Sequence, residues 1–510
     1  MATTTDPALT PAAGGGGGGR KRDGMGLAQT VALNAGSQAG SQLFSAIAGV
    51  LSVGIAARYL SVGEYGEVVT AVVLSGLLYF AADFGITPTA ARMAARHEGD
   101  ASRIYAGAFW AGVMFNALTI AAIFAISRGI YAGTDNSTTR IAVLLLLTSY
   151  LLKPWAGVTR AKAIVQQQQY LMSLATVLAR TMSLLTLGIT VALDLGPIGV
   201  AAGFAVGMVF EDVFSLTLLR PRLGLVPDRR GGRGREIIGS AIPLGTILIV
   251  NGLYFKTAAL LLSLLSTDRD VALYGVAYKA FEVLFALPGF IMLTLLPELA
   301  RLDAGEPRFN AMVQKAFTAM TLLALPIVGM SLCGKEMMQV LGGGQYGDAG
   351  GLLAFVLASV TLACVQGVFG YTLVSQGRQG VLLKVSLLVL VINVVGNLIL
   401  IPTLGLTGAG IALLCSEVTS IVLTMLVYRG IAPLPRLQAP LRTGLAVVAM
   451  LGATSVRLLF DHPVPGLLAA GVLGLAAYVG TLLALRAVPD ELRNMFAGVL
   501  RRRRPRRVPA

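Results

Sequence analysis

Apolar stretches separated by short polar connections run through most of the chain. A helix needs about 20 apolar residues to cross a hydrocarbon core of about 30 Å, so the length of these stretches predicts transmembrane helices. The 3.6-residue period is less informative, because helices surrounded by lipid and protein are apolar on all sides. Fourteen crossings are predicted, at residues 30–57, 67–87, 104–127, 141–159, 171–193, 198–219, 237–265, 271–296, 316–334, 351–375, 381–402, 408–428, 443–460 and 466–485.

The second half of the chain repeats the first at one fixed offset. In each matched pair the later residue number exceeds the earlier by 209, and an offset of six helices gives both halves the same orientation. The matched pairs are Tyr65 and Tyr274, Gly66 and Gly275, Pro88 and Pro297, Arg92 and Arg301, Gln167 and Gln376, Gly196 and Gly405, and Gly199 and Gly408.

The repeat predicts two pseudo-symmetric six-helix lobes that face each other across a central cavity, with two C-terminal helices outside the repeat. Rocking of one lobe against the other would give alternating access to that cavity. The predicted organisation is an N-terminal arm (1–29), an N-lobe (30–219), a basic linker (220–236), a C-lobe (237–430), helices 13 and 14 (431–486) and a basic tail (487–510).

Composition supports an all-α polytopic membrane protein. Of the 510 residues, 55% are hydrophobic and 13% are charged, whereas soluble globular proteins average about 25% charged. The six glycines at 14–19 precede the basic residues 20–22 without an apolar segment before them, so we expect a flexible arm and not a signal peptide.

The net charge of +15 is distributed unevenly along the chain. With the N-terminus placed inside, the connections and termini on that side hold 30 of the 40 Lys and Arg residues, and the opposite side holds five. The positive-inside rule therefore predicts that both termini are cytoplasmic in a plasma (inner) membrane. Residues 220–236 and 501–507 are then anchors against anionic lipid headgroups, and the charge requires no nucleic-acid partner.

Eight charged residues lie within predicted crossings, about 10–17 Å from the helix ends at about 1.5 Å per residue. A charge at bilayer depth costs at least about 2.5–3.5 kcal/mol, so each must face protein, water or a substrate. Either the basic residues form a cationic cavity, or acidic and basic residues pair, such as Lys279 with Glu282 and Arg180 with Glu211 or Asp212. The eight are Lys153, Arg180, Glu211, Asp212, Lys256, Lys279, Glu282 and Glu417. Asp83 lies close to a helix end, where no cavity is needed.

The eighth crossing also resembles a known family. Its polar, proline and arginine positions stand in the order seen in the polysaccharide (Wzx-type) flippases of the multidrug/oligosaccharidyl-lipid/polysaccharide exporter superfamily. The residues that carry this resemblance are Tyr274, Gly275, Tyr278, Lys279, Glu282, Pro288, Pro297 and Arg301. The resemblance, which extends over about residues 30–430, implies export of a lipid-linked oligosaccharide from the cytoplasmic to the outer leaflet.

Within that interpretation, the buried residues receive candidate roles. The cations Lys256, Lys279, Lys153 and Arg180 would bind the diphosphate of the substrate. A carboxyl group in an apolar setting retains its proton more readily than in water, so Glu417 or Glu282 would couple export to proton entry or else pair with a lysine. Glu211 and Asp212 have the same two candidate roles, with Arg180 as the charge partner. Pro288 and Gly289 are a predicted hinge below Lys279 and Glu282.

Other chemistry has little support in the sequence. The three cysteines lack a paired spacing and no P-loop pattern occurs, so we expect no disulfide, metal, cofactor or ATP hydrolysis, and no enzyme. The expected partners are the lipid-linked oligosaccharide and membrane lipids, with cytoplasmic glycosyltransferases or a polysaccharide polymerase as further candidates. The alternatives are a multidrug cation antiporter or lipid II flippase of the same superfamily, and a membrane enzyme.

Overall fold

Helices make up nearly all of the computed structural model, which describes residues 27–130, 137–223, 233–436 and 438–485 and contains no strand within them. The tail predicted for 487–510, most of the arm predicted for 1–29 and the centre of the linker predicted for 220–236 lie outside the described residues.

Nine helices form the N-lobe. Two of its predicted crossings are broken into shorter helices, one into α2, α3 and α4 and the other into α6 and α7. The N-lobe helices are α1 (Leu27–Tyr59), α2 (Val62–Leu77), α3 (Tyr79–Asp83), α4 (Ile86–Arg96), α5 (Ala101–Ile130), α6 (Ser137–Leu147), α7 (Lys153–Val165), α8 (Gln169–Ala192) and α9 (Gly196–Leu223).

The C-lobe has the same plan and is followed by two further helices. Its helices are α10 (Gly234–Leu265), α11 (Asp268–Leu284), α12 (Leu287–Leu299), α13 (Pro307–Gly329), α14 (Gly334–Gly342), α15 (Gly350–Ser375) and α16 (Gln379–Arg429). The last two helices, α17 (Gln438–Thr454) and α18 (Pro463–Ala484), pack on each other and on α13 and α14 of the C-lobe.

The prediction of fourteen crossings is confirmed. Twelve helical spans within the described residues are long and apolar enough to cross a membrane, and the bent pair α6 and α7 makes a thirteenth. The 51-residue α16 is far longer than one crossing and is interrupted at Gly405 (φ 55°, ψ −130°), which divides it into two. The chain is a multi-pass membrane protein.

The backbone follows the 209-residue repeat at its irregular points. Gly196 and Gly405 both have positive φ, 64° and 55°, where the chain turns between two crossings, and only glycine adopts that conformation without strain. Leu78 separates α2 from α3, and the residue 209 positions later, Leu287, begins α12 after the break that follows α11. The two lobes therefore share their crossings and the break after α2 and α11, whereas the N-lobe breaks between α3 and α4 and between α6 and α7 have no counterpart in α12 and α15.

The lobes meet at one end of the bundle, which carries residues 58–62, 266–268 and 340–349. We call it the opposite end because it lies across the bundle from the basic end defined below. Arg58 donates hydrogen bonds to the carbonyls of Val340 (2.5 Å) and Leu341 (3.3 Å), and Gln345 donates to Ala57 (3.4 Å). The other end, with residues 96–103, 300–307 and 430–436, is called the basic end. There the first half of α10 packs on α4 and α5 of the N-lobe, so α10 belongs to the walls of both lobes.

Three prolines in the crossings leave a backbone carbonyl four residues earlier without its usual amide donor. In lipid such a carbonyl must find another partner, and in each case a side chain from a different helix provides it. Asn116 donates to the Tyr150 carbonyl that Pro154 frees (2.7 Å), Cys364 donates to the Leu284 carbonyl that Pro288 frees (3.6 Å), and Tyr478 donates to the Leu322 carbonyl that Pro326 frees (2.8 Å). These contacts tie the breaks and kinks to the neighbouring helices.

Tyr478→Phe is expected to lower the free energy of unfolding by about 1 kcal/mol, because the Leu322 carbonyl loses its donor. In a Pro326→Ala background the restored amide can donate to Leu322, so the same substitution should cost measurably less. Thermal unfolding of the four purified proteins tests this coupling. Equal losses in the two backgrounds would contradict the proposed partnership.

Candidate functional site

Two lysines of the C-lobe share one carboxylate. Glu282 of α11 accepts a hydrogen bond from Lys279 Nζ on the same helix (2.9 Å) and from Lys256 Nζ on α10 (3.1 Å). We call these three residues the charged triad. The buried aromatic face of α11, with Tyr278 stacked on Phe281 at 5.2 Å, fixes the rotation of the helix that presents Lys279 and Glu282.

The charged triad faces the N-lobe. A Cβ atom built on Gly49 of α1 would lie 2.9 Å from Lys279 Cε, and one built on Gly76 of α2 would lie 3.6 Å from Lys256 Cε. The lysine side chains are 26% exposed and Glu282 is 34% exposed, although all three lie within membrane-spanning helices. The triad therefore lines the space between the lobes, with two positive charges against one negative charge.

A second network lies within the N-lobe. Asp212 of α9 is fully buried and lies 2.9 Å from Arg160 and 3.4 Å from Lys153, both on α7. Arg160 also reaches Glu211 at 3.4 Å, and Lys153 donates to the Tyr79 hydroxyl at 3.1 Å. Two bases and two acids match each other, so this network holds no surplus charge.

Arg160 was missed by the sequence analysis, which ended the fourth crossing at residue 159 and counted Arg160 in a connection. In the structure α7 continues to Val165, and Arg160 is two turns beyond Lys153 on the same face. The seven-residue spacing is the signal that could have identified it. Arg160 and Lys153 occupy the position expected for Arg180, whose Nε has no hydrogen-bond partner within the described part of the chain.

A cavity of about 270 Å³ opens beside the N-lobe network and is lined by Asp83, Lys153 and Arg160, among others. The Thr87 hydroxyl donates to the Asp83 carboxylate at 2.5 Å. The expectation that Asp83 needs no cavity is wrong, because the helix break after it turns its side chain towards α7.

Glu417 lies apart from the lysines. It is 4% exposed and accepts a hydrogen bond from the Tyr254 hydroxyl at 2.5 Å. Tyr254 lies two residues before Lys256 on α10, so a single helix contacts both Glu417 and the charged triad. The structure therefore gives Glu417 a tyrosine partner in place of the lysine that was the alternative to a coupling role.

The predicted hinge residues lie at the break between α11 and α12. The first helix ends at Leu284 and the second begins at Leu287, so Pro288 occupies the first turn of α12. Gly289 follows, and a Cβ built on it would lie 3.2 Å from the Tyr371 hydroxyl. The break begins one turn after Glu282, so a change of angle there would displace Glu282 relative to Lys256.

A family model described as "Polysaccharide biosynthesis protein" matches residues 55–350, more than half of the chain. The chain belongs to the polysaccharide biosynthesis protein family. The resemblance noted in the eighth crossing is thus confirmed at the level of the family, and the matched region contains the charged triad and the whole N-lobe network.

A curated relative matches a short part of this polysaccharide biosynthesis protein. The probable low-salt glycan biosynthesis flippase Agl15 of Haloferax volcanii is 21% identical over 160 residues, which are 31% of this chain and 34% of that protein. The match therefore spans about a third of the relative.

Two solved structures share the fold of this family member. The lipid II flippase MurJ in its inward closed conformation superposes with a TM-score of 0.74 at 12% identity, over 88% of this chain and 98% of that one. An inward-facing multidrug resistance MATE family transporter of the MOP superfamily gives a TM-score of 0.60 at 16% identity, over 75% and 94%. These likenesses establish the fold.

In this polysaccharide biosynthesis protein, Asp212→Asn should cost about 3–5 kcal/mol of stability, because it leaves two buried cations without their shared anion. Glu211→Gln also removes one negative charge, one residue away, but it breaks only a partly exposed ion pair with Arg160. We therefore expect a loss of stability of about 1 kcal/mol or less. The melting temperatures of the two purified variants provide the comparison. Similar shifts for both would mean that Asp212 is not the centre of the network.

Proposed function

We propose that the chain is a flippase that moves a lipid-linked oligosaccharide from the cytoplasmic to the outer leaflet by alternating access. The polysaccharide biosynthesis family, the MurJ-like fold and the flippase relative support this assignment. The chain would lie in the plasma (inner) membrane with its basic end facing the cytoplasm, as the positive-inside rule predicts. No catalytic step by the chain itself is part of the proposal.

The observation that carries the proposal is the surplus positive charge of the charged triad. Lys256 and Lys279 share Glu282 and remain accessible from the space between the lobes. Charge-assisted hydrogen bonds from ammonium groups to phosphate oxygens are strong in a setting with little water. The two lysines are therefore suited to bind the diphosphate that joins a sugar to its polyprenyl carrier.

The same charge separates the flippase from its main alternative. A multidrug antiporter must attract cations into the space between its lobes, whereas a cation would meet two ammonium groups at this triad. A lipid II flippase would use the same phosphate chemistry, so competition with lipids that carry different glycans is the measurement that separates those two assignments.

The N-lobe residues take a supporting role in this proposal. Lys153 and Arg160 are matched by Asp212 and Glu211, so they hold α7 against α9 and line the N-lobe cavity instead of providing the main phosphate site. Arg180 stays a candidate contact for an anionic group because its Nε is unpartnered within the described residues. Cytoplasmic glycosyltransferases or a polymerase would act on the same substrate at either face.

Lys256→Gln and Lys279→Gln should each reduce translocation of a fluorescent polyprenyl-diphosphate oligosaccharide in proteoliposomes at least tenfold, because one charged contact to the phosphate is lost. Arg308→Gln removes an exposed basic residue at the basic end and serves as the control, with unchanged transport expected. If wild type moves small cations and not this lipid, the flippase assignment is wrong.

Glu417→Gln is expected to remove the response of transport to an imposed pH gradient, because an amide cannot bind and release a proton. Tyr254→Phe should retain a response but alter it, since the hydrogen bond to the carboxyl is lost while the acid stays. Transport is measured in proteoliposomes with and without the gradient. A Glu417→Gln protein that responds like wild type would remove Glu417 from the coupling step.

A further inference from the structure

A cavity of about 310 Å³ lies in the C-lobe between α10, α15, the first half of α16 and the break that separates α11 from α12. This volume is within the range of about 300–1,000 Å³ that is typical of small-molecule sites. The polar and aromatic residues that line it are Asn251, Phe285, Gln366, Tyr371, Gln379 and Ser386. We call it the amide cavity.

The amide cavity lies on the basic-end side of the charged triad. Phe285, directly after the end of α11, follows Glu282 by three residues, about 4.5 Å of helix rise. Asn251 precedes Lys256 by five residues on α10, about 7.5 Å of rise and about 140° around the helix. The two helices run in opposite directions, so both offsets point to the basic end. Phe285 and Pro288 line the cavity within two turns of Glu282, so the connection between the triad and the cavity runs along the end of α11.

The lining of the amide cavity is polar without being charged. None of the residues that line it is acidic or basic. Asn251, Tyr371 and Ser386 lack a hydrogen-bond partner for their side chains among the residues that the structure describes. Amides and hydroxyls both donate and accept hydrogen bonds, as sugar hydroxyls do, and the rings of Phe285 and Tyr371 supply the apolar surface that such pockets combine with a few polar groups.

We propose that the amide cavity binds the sugar residue nearest to the diphosphate of the lipid-linked substrate. This inference rests on the proposed flippase function and extends it, because the triad would recognise the phosphate common to all such lipids and the cavity would recognise the glycan. The cavity wall includes Pro288, so a bound sugar would contact the break between α11 and α12 directly.

The chain offers variants that change the cavity and leave the charged triad intact. Tyr371→Phe and Ser386→Ala each delete one unpartnered hydroxyl. Gly370 lines the cavity, and a Cβ there would meet only the flexible Gln366 side chain at 3.6 Å, so Gly370→Ala adds bulk to the cavity without a backbone clash. Alanine also favours the helix more than glycine does, which protects folding.

Matched controls lie on the same helix. Ser375→Ala removes a hydroxyl that bonds to the Thr372 carbonyl within α15 and does not line the cavity. Gly351→Ala adds a methyl group at a position of α15 with open space around it.

The experiment measures binding to the full-length protein in nanodiscs of two probes, a polyprenyl diphosphate that carries one N-acetylhexosamine and the bare polyprenyl diphosphate. Tyr371→Phe, Ser386→Ala and Gly370→Ala should each weaken binding of the glycosylated probe about fivefold and leave binding of the bare probe unchanged. The two control variants should bind both probes like wild type.

The outcomes separate this inference from the function on which it rests. If wild type binds neither probe, the proposed function fails. If both probes bind, Lys256→Gln weakens both, and the cavity variants change neither, the function stands and the sugar site is wrong. If the cavity variants weaken the two probes equally, the cavity takes the lipid or the phosphate, which also overturns the sugar site.

Discussion

The cost of an unmatched charge at bilayer depth governs the arrangement of both lobes. Asp212 holds α7 and α9 together because Lys153 and Arg160 cannot remain inside the membrane without it. Glu282 likewise pairs with Lys256 and Lys279, but its one negative charge balances only one of their two positive charges. The four residues of the N-lobe network therefore balance one another, whereas the triad carries one surplus positive charge.

A related constraint acts on the backbone. At Pro154, Pro288 and Pro326 the freed carbonyl accepts a hydrogen bond from a side chain of another helix, from Asn116, Cys364 and Tyr478 respectively. The Cys364 contact is the weakest of the three, because a thiol is a poor donor at 3.6 Å. This contact lies at the break between α11 and α12, on the basic-end side of the charged triad. The same break forms a wall of the amide cavity, so the weakest of the three contacts is the one nearest to the proposed substrate.

Apolar length predicts the crossings, the 209-residue repeat predicts the two lobes, and same-helix spacing gave the pairing of Lys279 with Glu282 as one of two alternatives, because all three can be read from the order of residues along the chain. The partners contributed by other helices could not be read in this way. Lys256 with Glu282 and Tyr254 with Glu417 depend on how α10 packs against α11 and α16. Arg160 was missed for a different reason: hydropathy marks the end of an apolar stretch, and α7 continues beyond it as a polar helix buried by protein.

The repeat relates the backbones of the lobes but not their charges. At an offset of 209, Lys256 corresponds to Ile47, Lys279 to Thr70 and Glu282 to Val73. The triad therefore belongs to one lobe only. An inside-negative membrane potential acts on its single surplus charge, with an energy of about 2.3 kcal/mol for each 100 mV of potential difference that the charge crosses. In the proposed cycle a diphosphate, with one negative charge on each phosphate, reverses the sign of the loaded site. The potential would then draw the empty site towards the cytoplasm and drive the loaded site outward, so that one electrical gradient favours both halves of the cycle.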